Sequence, residues 1–293
     1  MIHQVDIYGQ DKVQKAIEII RFFEPSDGSG YWLAFSGGKD SVVVKALMDM
    51  AGVKYESHYH VTTVDPPELI RFIKQTYPDV IFDHSFYGDG TPKTMWNLIV
   101  KKGMIPTRSK RYCCAELKEH YGAGRAVVTG VRWAESVNRA KNQGLVKIDK
   151  SKKAEKVIAG ITDDYVLTDK GGIILNNDNE ETREVFETCI KMRNTTLNPI
   201  IDWQDDDVWE FIREYNVPYC GLYDEGLKRL GCIGCPMGGP NGMKRDFERW
   251  PVYKQNYLKA LDRLIKRMEK ENPGRFRNWK TAEDIFKWWV GEE

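Results

Sequence analysis

No apolar run in the 293-residue sequence reaches the ~20 residues that a membrane-spanning helix needs, so a spanning protein is not expected. The first residues, MIHQVDIYGQDKVQKAIEII, lack the basic-then-apolar order of a secretory leader, and the cytoplasm is the expected location. An excess of one charge is missing as well. Lys and Arg total 44 against 43 Asp and Glu, a formal net charge of +1. That balance excludes a bulk polybasic nucleic-acid binder while leaving room for a local basic groove. No internal repeat is visible, and the GxxxxGK[ST] spacing of a Walker A loop is absent. Cysteine is sparse, and none follows Cys235, so the tail FKWWVGEE offers no thiol.

What is present suffices for a sizeable core: 41% of residues are hydrophobic and 30% charged. The pattern alternates strands and helices. DKVQKAIEIIRFF (11–23) reads as an amphipathic helix, YWLAF (31–35) as a short strand, and VVVKALMDMAG as a helix ending at Gly52. YESHYHV reads as a strand, then a Pro66-Pro67 turn, a helix ELIRFIKQTY and a strand near residue 80. RAVVTGVR (125–132) reads as a strand buried on both faces, NPIIDW (198–203) as strand or extended chain, and DDDVWEFIREYN (205–216) as a helix whose acidic first turn suits the helix dipole. The expected fold is α/β: a largely parallel sheet with helices on both faces. Residues 141–185 are polar and carry a hairpin turning at Asp169–Gly172, which reads as an insertion or lid. A domain over 1–240 would be followed by a helical extension over 241–293.

SGGKDS, Ser36 to Ser41, sits where a strand becomes a helix. Gly37 and Gly38 let the backbone turn sharply and approach a ligand closely. Turn amides and the helix N-terminus then face an anion such as phosphate. Lys39 adds a cation, Asp40 is placed to help hold Mg²⁺, and Ser36 and Ser41 add hydroxyls. The plain alternative is a glycine turn with a capping serine.

Cys113-Cys114 and Cys232-x-x-Cys235 supply two pairs of thiols, in a sequence where metal or redox chemistry is a better reading than structural disulfides. Four thiolates suit tetrahedral zinc or an iron–sulfur cluster. Redox thiols and simple core packing also remain open. Cys189 and Cys220 read as buried free thiols, Cys220 lying close enough to serve as a spare ligand. Arg108, Arg111 and Lys118 flank the vicinal pair, and Arg132 and Arg139 lie further on. Guanidinium forks suit sulfate or phosphate oxygens, though each cation alone is equally a solvated surface charge.

SGGKDS after an apolar strand resembles the pyrophosphate loop of the adenine-nucleotide alpha-hydrolase superfamily. Together with CCAELK (113–118), TGVRWAESVNR (129–139), NPIIDWQDDDVWEFI (198–212) and LYDEGLKRLGCIGCP (222–236), it resembles the phosphoadenylyl-sulfate (PAPS) reductase family. That family includes adenylyl-sulfate (APS) reductases and the ATP pyrophosphatases of DNA phosphorothioation. The resemblance implies a Rossmann-like fold, an adenine nucleotide (ATP, APS or PAPS) on residues 36–41, and a 4Fe–4S cluster on Cys113, Cys114, Cys232 and Cys235. It further implies anion contacts from Arg111, Lys118, Arg132 and Arg139, with Lys39, Asp40 and Arg132 as catalytic residues. The chain departs from the reductases in two respects. It lacks their C-terminal nucleophilic cysteine, a role that a carboxylate or Trp cannot fill. It also keeps Lys39 and Asp40, where reductases usually carry a degraded loop. The reading is therefore an ATP pyrophosphatase that adenylylates an acceptor for sulfur transfer. Nucleic acid would be a candidate acceptor, and a cysteine desulfurase a candidate sulfur donor. The alternatives are an APS or PAPS reductase that borrows a thiol, and a non-catalytic nucleotide- or cluster-sensing regulator.

Overall fold

The protein is described here by a computed structural model, which covers residues 11–119, 122, 124–149, 152–169, 171–190, 195–274 and 278–292. Helix α1 (Lys12–Phe22) begins where the Asp11 carboxylate accepts the Val13 and Gln14 amides, and it buries Val13, Ala16, Ile17, Ile19 and Ile20. Strand β1 (Tyr31–Ala34) buries Tyr31 and Leu33 fully and leads through residues 35–38 into α2 (Lys39–Ala51). Helix α2 stops at Gly52, whose φ of 70° is the left-handed cap that glycine adopts without cost. Then come β2 (Tyr55–His60), α3 (Pro67–Thr76), β3 (Ile81–Asp83), α4 (Met95–Lys102) and the short α5 (Tyr112–Leu117). Pro67 opens α3, where its missing N–H is no loss.

The second half runs β4 (Ala126–Val128), α6 (Val137–Asn142), β5 (Val146–Ile148), α7 (Lys152–Ile158), β6 (Val166–Leu167), β7 (Ile173–Leu175), α8 (Glu180–Ile190), β8 (Thr195–Leu197) and α9 (Asp205–Glu214). It closes with α10 (Gly239–Arg249), α11 (Pro251–Glu271) and α12 (Ala282–Val290). The strands form one eight-stranded sheet in the order β3-β2-β1-β4-β8-β5-β7-β6, flanked by helices. Strands β2, β1, β4 and β8 are parallel; β5, β7 and β6 add antiparallel. The expected α/β architecture is therefore present, and the strand expected at 125–132 is confined to Ala126–Val128. Of the strand or extended chain expected at 198–203, the strand lies just before it, at Thr195–Leu197, and residues 199–202 turn. The hairpin expected near Asp169–Gly172 is formed by β6 and β7, and Lys170 lies outside the described residues. Residues 146–175 thus carry strands that extend the main sheet, with β5 pairing directly to β8, and their apolar positions Ile148, Ile173 and Leu175 are buried.

The chain divides into two compact units that interleave along the sequence. The first comprises residues 1–59, 71–81 and 121–228, and its core includes Leu33, Val42, Val43, Val44, Leu47 and the fully buried β4. Each such aliphatic side chain stabilises the fold by roughly 1.5–3 kcal/mol. The second comprises residues 60–70, 82–120 and 229–293. Its core is aromatic: Phe247 lies 4.9 Å from Phe286, and Tyr257 4.9 Å from Trp289, between ring centroids. Arg267 donates to the Val100 carbonyl at 2.7 Å, capping the end of α4 against α11. Among the described residues no helix is long and apolar enough to cross a membrane.

Candidate functional site

From β1 the chain steps outward through β2 to β3, then returns to place β4 on the other side of β1. Parallel sheets bind ligands at such a switch point, beyond the carboxyl ends of the strands. Residues 36–38 lie there. Gly37 takes a φ of 70°, open to glycine, and Gly38 is the N-cap of α2. After β4, Gly130 packs so closely that a Cβ on it would sit 2.8 Å from the Asp40 carbonyl oxygen. Any side chain there would push the loop away.

Two serines expected as ligand donors serve the loop itself. The Ser41 hydroxyl donates to the Gly38 carbonyl at 2.9 Å and accepts the Ser36 amide at 3.2 Å, while Ser36 Oγ accepts the Gly38 amide at 3.3 Å. Ser41 is buried. The Lys39 amide donates to the Tyr223 hydroxyl at 2.9 Å. The amides of Gly37 and Asp40 make no hydrogen bond among the described residues.

Above the loop stands a quartet of charges. Lys39 Nζ donates to Asp205 Oδ1 at 2.9 Å and to Asp40 Oδ1 at 3.2 Å. Arg132 donates through Nε to Asp40 Oδ1 at 2.6 Å, through Nη2 to Asp205 Oδ1 at 2.6 Å, and through Nη1 to the Trp203 carbonyl at 3.1 Å. The Arg132 side chain is 1% exposed and that of Lys39 7%, whereas Asp40 is 22% and Asp205 68% exposed. Two cations are thus fixed in the interior, and one of their two carboxylates reaches solvent. Burial works to raise the Asp205 carboxyl, but the hydrogen bonds from Lys39 and Arg132 outweigh it and hold the group below the usual carboxylate range. Lys39, Asp40 and Arg132 were expected together from the sequence. Asp205 and Tyr223 were not: the acid reads as a helix-dipole residue, and the tyrosine as one of fourteen. Their only signal was membership of the NPIIDWQDDDVWEFI and LYDEGLKRLGCIGCP segments. Arg139 stands outside the quartet, paired with Glu135, whose carboxylate also accepts the Arg132 amide at 3.2 Å.

The second unit gathers the thiols. Cys113 and Cys114 lie in the first turn of α5, and the thiols of Cys114 and of the Cys232–Cys235 turn act electrostatically on Cys113. The turn is fixed by the Ile233 amide on the Val64 carbonyl at 2.7 Å and by Gly234, whose absent Cβ would meet the Phe247 ring at 2.4 Å. Arg111 donates to Cys114 Sγ at 3.4 Å, and Cys232 Sγ donates to Thr62 Oγ1 at 3.5 Å. The neighbouring Cys113 thiol holds Cys114 down, with help from Arg111 and Lys118 and against burial. Burial pushes Cys232 up, and Lys118 opposes it. Among the described residues no group of three or more His, Cys, Asp or Glu side chains is arranged to hold a metal ion. Cys189 and Cys220 are buried in the first unit.

The sequence profile of the phosphoadenosine phosphosulfate reductase domain matches residues 30–237. The chain belongs to that family. A curated relative is an uncharacterised protein of Methanocaldococcus jannaschii, 26% identical over 261 residues that cover 86% of this chain and 53% of that protein. Another, from Schizosaccharomyces pombe and named "Probable FAD synthase", is 23% identical over 246 residues, covering 83% of this chain and 75% of that protein. The chain spans about half the length of the first curated relatives it matches, 53% and 41%. Among solved structures, the phosphoadenylyl-sulfate reductase of Candida auris in complex with phosphate aligns with a TM-score of 0.42 at 15% identity, covering 74% of this chain and 88% of that one.

Proposed function

We propose that this phosphoadenosine phosphosulfate reductase family chain is an ATP pyrophosphatase that adenylylates an acceptor, preparing it for sulfur transfer. The observation that carries the reading is the pair of buried cations, Lys39 and Arg132, fixed over a glycine turn at the sheet's switch point. Fixed cations and amides aimed at developing negative charge stabilise a departing pyrophosphate without reorganisation. The Gly37 and Asp40 amides and the α2 dipole would hold phosphate oxygens. Lys39 and Arg132 would take the charge that builds on the β-phosphate as the α–β bond breaks. Asp40 would help hold Mg²⁺, whose chemistry is to neutralise the phosphate chain. The likeness to a protein named "Probable FAD synthase" supports a nucleotide substrate.

By donor chemistry alone the four thiols Cys113, Cys114, Cys232 and Cys235, flanked by Arg111 and Lys118, would suit a 4Fe–4S cluster; among the described residues they are not drawn together as a ligand set. When bound, such a cluster would supply structural order or carry sulfur. The acceptor would be nucleic acid, and the sulfur would come from a donor protein such as a cysteine desulfurase. Anaerobically prepared protein should be given ATP, APS and PAPS, each with and without DNA or RNA. The reading expects AMP and pyrophosphate from ATP and no sulfite from APS or PAPS with thioredoxin or glutathione. Sulfite release without pyrophosphate formation would replace it with a sulfonucleotide reductase.

A further inference from the structure

We propose that in the nucleotide-free protein the phosphate site is filled by the protein's own Asp205 carboxylate and Tyr223 hydroxyl, and that an entering polyphosphate displaces Asp205. This rests on the reading that residues 36–41 take nucleotide phosphates. One carboxylate oxygen, Asp205 Oδ1, accepts from both Lys39 Nζ at 2.9 Å and Arg132 Nη2 at 2.6 Å. A single anionic oxygen bridging two cations is the arrangement that a phosphate oxygen would make there. The Lys39 amide, a donor at the positive end of α2, is likewise engaged by Tyr223.

Charge says why something must move. Lys39 and Arg132 are balanced by Asp40 and Asp205, so the quartet is neutral before any ligand arrives. A pyrophosphate group entering beside two carboxylates would meet repulsion in a partly buried site, where it is weakly screened. Exposure says which group moves. Asp40 lies in the first turn of α2 with its backbone packed against Gly130, and its side chain is 22% exposed. Asp205 opens α9 with its side chain 68% exposed, so rotation of its own side chain carries the carboxylate into water while the buried cations stay. Tyr223 is braced edge-on by Trp209, with ring centroids 5.2 Å apart, which keeps its hydroxyl aimed at the Lys39 amide until a stronger acceptor competes. A permanent structural ion pair predicts the opposite behaviour, since removing Asp205 would then loosen the site.

Inorganic pyrophosphate, titrated calorimetrically without divalent cations at constant ionic strength, separates the two. Asp205→Asn removes the competing charge and should tighten pyrophosphate binding roughly tenfold, the scale of one charge-assisted hydrogen bond. Tyr223→Phe removes a neutral competitor and should tighten it about threefold. Lys39→Ala is the control that should lose binding. Equal or weaker binding by Asp205→Asn, with native circular dichroism, overturns the inference. If that variant does not fold, Tyr223→Phe carries the test, and no gain there overturns it. Binding by wild type that Lys39→Ala abolishes, with no gain in either variant, sinks this inference and leaves the phosphate site standing. No pyrophosphate binding by wild type or either variant sinks both.

Discussion

Arg132→Met would leave the Trp203 carbonyl without its donor and the Asp40 carboxylate with Lys39 as its remaining cation, at 3.2 and 3.5 Å. The methionine fills much of the arginine's volume, so the loss is electrostatic rather than a cavity. Removing one partner from a buried ion pair costs about 3–5 kcal/mol, against about 0–1 kcal/mol for an exposed pair. Arg132 is 1% exposed and makes three hydrogen bonds, which puts it in the first class; the exposed Asp205 can turn to water, which places the cost toward the lower end of that range. At 2–4 °C per kcal/mol for a domain of this size, a loss of 3–5 kcal/mol lowers the Tm by about 6–20 °C. Arg132→Lys keeps the charge but not the planar fork, and should fall between wild type and Arg132→Met. Urea unfolding monitored by tryptophan fluorescence, together with calorimetric Tm, measures both. A loss under about 1 kcal/mol for Arg132→Met would show that the quartet behaves as a solvated surface pair, and the argument for fixed cations would fail.

Gly130→Ala should destabilise the first unit by about 1–3 kcal/mol and weaken ATP binding, because its Cβ would press on the Asp40 backbone; unchanged ATP affinity would separate Gly130 from the loop. Glu116 bonds Lys102 at 2.6 Å and Lys93 at 2.7 Å, which hold its carboxyl down from 4.5 to about 2. A depressed folded value stabilises above the unfolded one and is lost as pH falls through the folded one. Glu116→Gln should therefore melt below wild type at pH 7, and the two melting curves should converge as pH drops from about 4.5 toward about 2. Anaerobic protein should carry about four irons per chain, and Cys113→Ser or Cys232→Ser should lose them; stoichiometric zinc without iron would replace the cluster by a zinc site.

The elements that periodicity and caps define were legible in the sequence. Asp11, Gly52 and the apolar stripe of α1 are local signals, and the helices they bound lie where expected. The 198–203 segment reads as strand or extended chain because Ile200 and Ile201 are apolar. Both are buried, but in a turn, and burial alone does not distinguish the two. The pairing of β5 with β8 joins residues some fifty apart, and no local pattern announces it. The site divides in the same way. The loop motif announces Lys39 and Asp40, which are neighbours in sequence. Asp205 reaches Lys39 across 166 positions and Tyr223 across 184, so tertiary folding alone brings them there. Ser36 and Ser41 look like ligand donors in a motif, and in the folded loop both hydroxyls also bond the loop's own backbone, Ser41 from a buried position and Ser36 from an exposed one.

The fate of α-labelled ATP, followed in anaerobically prepared wild type and Lys39→Ala with DNA or RNA present, tests the central claim most directly. The account predicts AMP and pyrophosphate in equal amounts from wild type and neither from Lys39→Ala. ADP and orthophosphate as products, or identical turnover by the two proteins, would contradict it.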